Sequence, residues 1–193
     1  MDELSRYGRT QRFLELGGLS LFASLLGLNL LALPFQPILV LHALAGWVAA
    51  DLLSGVAHWA FDRFGSIHTP VFGPAFIRPF REHHVDPAAM TRHDFVETNG
   101  SSCLAFAPVL ALALFLPPFL QAFLTFTALG VLMTNQCHKW AHMDRPSRLV
   151  SLFQRANLVL KPQIHRLHHT PPFRSHYCTA SGWLNPVLDK ILR

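Results

Sequence analysis

Charge is scarce in this sequence. Asp, Glu, Lys and Arg make up 14% of its 193 residues, where soluble globular proteins carry roughly 25%. The deficit is also concentrated, because residues 16–50 and 103–138 contain none of the four. Such stretches argue against a soluble surface, and each is long enough to cross a bilayer core about 30 Å thick as a hairpin. Cysteine is scarce too. Cys103, Cys137 and Cys178 form no C-x-x-C pair and are odd in number, which argues against a disulfide framework or a thiolate zinc site. They read as small apolar residues in a reducing compartment. There is no internal repeat and no basic helix or stacking motif of a nucleic-acid reader, so the formal charge of +5 points to anionic headgroups and an acidic partner protein instead.

Proline divides the apolar stretches, since it cannot continue a helix from within. Pro34 and Pro37 leave spans at residues 16–33 and about 38–58, and Pro117-Pro118 leaves 103–116, which is short, and 119–142. Lys and Arg near span ends mark the cytoplasmic side. Arg6, Arg9 and Arg12 precede the first span. Arg63, Arg78, Arg81 and Arg92 lie between the second and third, and Lys139, Arg145, Arg148, Arg155 and Lys161 accompany or follow the end of the fourth. Both turns on the opposite side are uncharged. The expected fold is a single all-α integral membrane domain over residues 1–193, with four transmembrane helices in two hairpins and both termini cytoplasmic. Leu149, Phe153, Ala156 and Val159, and again Trp183, Val187 and Ile191, recur at helical spacing and read as helices lying at the membrane interface. The stretch 62–102 is too long for a mere connector, and its aromatic and paired-histidine content predicts an ordered segment.

Against this apolar background stand twelve histidines. Ten fall in segments assigned to or near the cytoplasmic face; His42 lies within a span and His176 is isolated. His58 and Asp62 are four apart at the end of the second span, so a continuing helix aims both at one spot. His138 and His142 repeat this at the end of the fourth. His83-His84 and His165-x-x-His168-His169 complete four clusters. Neutral imidazole ligates iron, zinc or copper, and eight histidines exceed the four ligands of one structural zinc, so two ions are expected. Glu and Glu-x-x-His pairs of carboxylate-rich di-iron bundles do not occur here. Asp86, Asp94, Glu82, Glu97, Asn135 and His93 are close enough in sequence to orient the imidazoles or to join them.

At these residues the chain resembles the plasmanylethanolamine desaturase (CarF) family, which has plant relatives acting on the acyl chains of phosphatidylglycerol. The likeness rests on His58-Trp59-x-x-Asp62, Arg78-Pro79-Phe80-Arg81-Glu82-His83-His84-x-Asp86-Pro87, Thr91-Arg92-His93-Asp94-Phe95-x-Glu97-Thr98-Asn99-Gly100, Asn135-Gln136-x-His138-Lys139-Trp140-x-His142, His165-x-x-His168-His169, Tyr177-Cys178 and Gly182-Trp183-Leu184-Asn185. The resemblance implies four spans and a cytoplasmic site of two iron ions. It implies dioxygen as co-substrate, electrons from a cytochrome b5-like or ferredoxin-like donor protein, and a phospholipid substrate whose alkyl ether chain gains the vinyl ether bond of plasmalogens. Its ligands map to His58, His83, His84, His138, His142, His165, His168 and His169, with Asp62 as a ninth group.

One departure matters. Membrane desaturases usually carry H-x-x-H-H in the middle box, and here the leading position is Phe80, which leaves its role to Asp62 or His93. Two further readings stand beside the leading one: desaturation or hydroxylation of ester-linked acyl chains, and a histidine-rich metal-binding or transport protein. Transport would favour ionisable groups deep in the spans, where only His42 and Asp51 fall. The sequence leaves headgroup, donor and oligomeric state open.

Overall fold

Apolar runs bounded by proline become four long helices. The structure, a computed structural model, describes residues 8–70 and 72–192, among which all regular structure is helical. The helices long and apolar enough to cross a membrane are α1 (Arg9–Ala32), α2 (Leu39–Arg63), α5 (Phe95–Ala113) and α6 (Pro118–His142). Between α2 and α5 lie a π-helical turn (Gly73–Ile77), α3 (Arg78–Val85) and α4 (Ala89–Arg92), so the expected ordered segment is helical. After α6 come α7 (Arg148–Arg155), α8 (Pro162–His168) and α9 (Asn185–Ile191). Arg6, used above to orient the chain, falls outside the described residues.

The proline boundaries hold, but the polar ends of the spans reach further than hydropathy indicates. α1 begins at Arg9 because its first turns have polar partners on α5: Gln11 Nε2 donates to Glu15 Oε1 at 2.8 Å and to Ser101 Oγ at 3.1 Å, and Ser101 Oγ donates to Glu15 Oε1 at 3.0 Å. α5 begins at Phe95, capped by Asp94, whose Oδ1 accepts the Glu97 amide at 3.0 Å. That adds about two turns ahead of residue 103 to the span that seemed short.

Although α1 and α2 are consecutive, α1 packs along α5, α2 along α6, and α5 and α6 against each other. The first pair of spans is therefore not a hairpin packed on itself. Small residues allow these approaches. A Cβ on Gly46 would stand 2.6 Å from the backbone of Phe126 and Thr127, and one on Gly100 would stand 2.5 Å from Glu15 Cβ. Phe22, Leu26, Cys103, Leu110 and Ala128 form the apolar core of α1, α5 and α6. Asn29 ties the same helices by donating to the Leu110 carbonyl at 3.0 Å and accepting from Gln121 Nε2 at 3.2 Å. Outward, Leu31, Phe35, Leu41, Leu44 and Phe115 are exposed, as lipid-facing residues should be. α7 ends before Ala156 and Val159, yet Leu149, Leu152 and Phe153 stay exposed on it, as do Val187 and Ile191 on α9.

Candidate metal centre

Four helix segments bring their histidines to one place. The last two turns of α2 present His58 and Asp62, those of α6 present His138 and His142, α3 presents His83 and His84, and α8 with its cap presents His165, His168 and His169. Two groups that could hold metal ions result. One is His83, His138, His142, His165 and His169; the other is His58, His83, His84 and His168.

In the first group the Nε2 of His165 stands 2.8 Å from that of His138, 2.9 Å from that of His142 and 3.1 Å from that of His169. A ring nitrogen carries at most one proton, so it cannot hydrogen-bond to three others at once. Lone pairs pointed at one spot are the arrangement a cation requires. Two ligands at right angles on metal–nitrogen bonds of about 2.1 Å would lie about 3.0 Å apart, which matches these separations. In the second group His84 Nε2 lies 3.1 Å from His168 Nε2, and beside the group Asp62 Oδ2 lies 3.1, 3.4 and 3.5 Å from the Nε2 atoms of His84, His168 and His58. His83 belongs to both groups, and neither of its ring nitrogens has a hydrogen-bond partner. His58 Nε2 and Asp62 Oδ1 are likewise buried without partners. Orphaned polar atoms in such number cost several kcal/mol unless a ligand meets them.

The opposite edges of two rings are fixed by the C-terminal segment. His58 Nδ1 donates to the Tyr177 carbonyl at 3.0 Å and His168 Nδ1 to the Ser175 carbonyl at 2.9 Å. With the proton at Nδ1, each Nε2 presents its lone pair inward. Burial, reinforced by neighbouring imidazoles, holds His83 and His165 well below the usual histidine value and His169 at about 3. These rings are neutral at pH 7, the form that binds metal.

Phe80 packs its ring 4.9 Å from that of His58, and Asp62, which belongs to neither group, brings its Oδ2 within 3.5 Å of three of the imidazoles. His93 lies outside both groups, 3.5 Å from Glu97, with its carbonyl accepting from Lys139 Nζ. It lines a cavity of about 50 Å³ together with His83, His138, Glu97 and Asn135. Asn135 donates to the Thr98 carbonyl and to Ser102 Oγ, so it joins α6 to α5. Asp86 pairs with Arg92 and Asp94 with Arg12, each at 2.7 Å. Among the described residues, none of these four joins either metal-holding group.

Sequence reasoning missed what holds the C-terminal segment. Asp51, fully buried in α2, accepts backbone N–H groups of Ser181 at 2.8 Å, Gly182 at 3.0 Å and Leu184 at 3.1 Å. Asn185 Oδ1 accepts the Cys178 amide at 2.9 Å. A lone carboxylate within a span was the available signal.

Comparison with known proteins identifies the family. The lipid desaturase domain matches residues 47–192. The chain is 49% identical to the plasmanylethanolamine desaturase of Myxococcus xanthus over 80% of its own length and 57% of that protein's. It is 39% identical to plasmanylethanolamine desaturase 1 of Mus musculus, covering 96% of this chain and 75% of the relative. With the chloroplastic fatty acid desaturase 4-like 1 of Arabidopsis thaliana it shares 37% identity over 80% of the chain and 53% of the relative. The chain thus spans little more than half of the bacterial and plant proteins. No solved structure matches. The domain match and these identities make this chain a member of the lipid desaturase family.

Proposed function

We infer that the chain is a membrane lipid desaturase with a centre of two iron ions, His138, His142, His165 and His169 holding one, His58, His84, His168 and Asp62 the other, and His83 between them. The observation that carries this is the convergence of eight imidazoles, both ring nitrogens of His83 among them without a hydrogen-bond partner, into two adjoining groups at the end of a four-span bundle. Iron would supply the oxidising power that an unactivated C–H bond requires, which zinc cannot. The overall reaction removes two hydrogens from adjacent chain carbons: R–CH2–CH2–R + O2 + 2 electrons + 2 H+ gives R–CH=CH–R + 2 H2O. The electrons come from an external donor of the cytochrome b5 or ferredoxin kind. Of the chain's own groups, the Tyr177 and Ser175 carbonyls orient His58 and His168, and Phe80 covers His58 with an apolar ring.

The substrate we assign is an alkyl ether (plasmanyl) phospholipid, which gains the vinyl ether bond of a plasmalogen. The bacterial and mouse relatives, both described as plasmanylethanolamine desaturases, support it. The cations flanking the spans support a cytoplasmic side for both termini and the centre, and the exposed apolar residues of α7 and α9 support an interfacial position for those helices. Expression in a host that contains plasmanyl lipids, with iron and donor supplied, should yield acid-labile vinyl ether lipids. None formed would remove this substrate. A second reading, desaturation of an ester-linked acyl chain, draws on the plant relative; loss of two hydrogens from an acyl fragment in lipid mass spectra would favour it.

A further inference from the structure

Beside the second histidine group lies an open cavity of about 630 Å³. Asp62 and His84 line its inner wall, and around them stand Arg63, Arg81, Arg174 and the ring of Phe173. Arg63 is the last residue of a membrane-spanning helix, at the level where headgroups lie, and its neighbour Phe64 is exposed, as is Phe173. The Arg81 guanidinium is fixed in place: Nε donates to the Phe61 carbonyl, and Nη2 to the carbonyls of Phe64 at 3.3 Å and Gly65 at 3.1 Å. Its Nη1 has no partner, and the exposed side chains of Arg63 and Arg174 have no hydrogen-bond or ion-pair partner among the described residues. Three guanidinium groups thus face a concave space, with donors suited to bidentate recognition of a phosphate.

We propose that this cavity is the phosphate-binding site for the substrate's headgroup, and that it places the reacting carbons next to the centre. The proposal rests on the desaturase reading for its second half. In a glycerophospholipid the phosphorus and the first carbon of a chain ether-linked at the outer glycerol position are six bonds apart, which at about 1.5 Å per bond spans no more than about 9 Å. A phosphate held by arginines whose cavity shares Asp62 and His84 with the metal-holding group therefore sets the first chain carbons at the centre. A carbon in the middle of the chain would need the headgroup to sit much further away. The cavity thus selects a double bond near the glycerol and a lipid that carries a phosphate. Its volume suits one small-molecule headgroup; docking of an acidic donor protein on the same arginines is the outcome the test below separates from it.

The test uses the full chain in detergent micelles with three probes: a short-chain ether phospholipid, the matched alkylglycerol without phosphate, and inorganic phosphate. Arg63→Gln/Arg174→Gln should bind the phospholipid about tenfold more weakly or worse, bind the alkylglycerol as before, and keep its iron. Arg63→Lys/Arg174→Lys, which keeps both charges, should retain most of the binding. Inorganic phosphate should compete with the phospholipid in the parent chain. Equal phospholipid affinity in the Gln variant and the parent overturns the proposal, including where inorganic phosphate alone depends on the arginines. So does a variant that binds lipid normally and loses reduction by an acidic donor, which would make the cavity a docking site for that protein. Binding needs no turnover. A chain that forms no double bond yet shows this arginine dependence would end the desaturase reading and leave the phosphate site standing.

Discussion

Replacing Asp51 tests whether the C-terminal segment holds the metal centre in shape. The carboxylate accepts three backbone N–H groups from Ser181, Gly182 and Leu184, and hydrogen bonds to a charged group contribute about 1.5–3 kcal/mol each. In Asp51→Leu all three donors lose their acceptor inside the protein, a loss of about 4 kcal/mol after partial relaxation. That is a large share of a typical stability of about 5–15 kcal/mol, and for a chain of this size it lowers Tm by about 10 °C. The same segment carries the Tyr177 and Ser175 carbonyls that orient His58 and His168, so the second metal group should loosen before the first. Asp51→Asn keeps one oxygen acceptor and should cost about 2 kcal/mol. Thermal unfolding in detergent and iron content by mass spectrometry read both effects. An Asp51→Leu protein with the parent's Tm and full iron would refute the reasoning.

Alanine at His138 or His165 should remove one iron, and alanine at His58 or His168 the other, while His93→Ala should retain both; loss of iron in the His93 variant would return that residue to the ligand set. Gly46→Ala drives a Cβ into the backbone of Phe126 and Thr127 and should cost about 1–3 kcal/mol, whereas Gly27→Ala, with nothing within 4 Å, should be neutral or stabilising in the same unfolding assay. Asp94→Ala removes the cap of α5 and should cost about 1 kcal/mol. Arg12 holds the Asp94 carboxyl down at about 2 from 3.8. Its contribution is therefore complete above about pH 4 and is lost as pH falls through about 2, so the parent and the variant should converge in acid unfolding. Removing metal with a chelator should lower Tm as well as activity, because an ion bound only by the folded chain stabilises it; an unchanged Tm would argue against these ligands.

Much of this was legible in the sequence. Pro34, Pro37 and Pro117-Pro118 mark the turns because ring closure removes a helical donor, and spacing of four at His58/Asp62 and His138/His142 fixes which side chains share a helix face. Less legible were the polar ends of α1 and α5. Hydropathy scores Gln11, Glu15 and Ser101 as surface, and only tertiary pairing shows that each supplies another's hydrogen bond. Helix partnership was also hidden, since α1 pairs with α5 through Gly18 and Gly100 rather than with its neighbour in sequence. That Asp62 stands within 3.5 Å of three imidazoles while His93 pairs with Glu97 required coordinates, because both sit four residues from another polar group.

α8 carries histidines of both groups that could hold metal. During synthesis, therefore, all four spans leave the ribosome and enter the bilayer before either group is complete. The chain must cross the membrane with its earlier histidines still unassembled, and metal loading becomes a late event in the protein's biogenesis, governed by metal supply at the membrane face after insertion. With the iron centre proposed above, a cell starved of iron would accumulate an inserted but empty protein, one that later iron could activate without new synthesis.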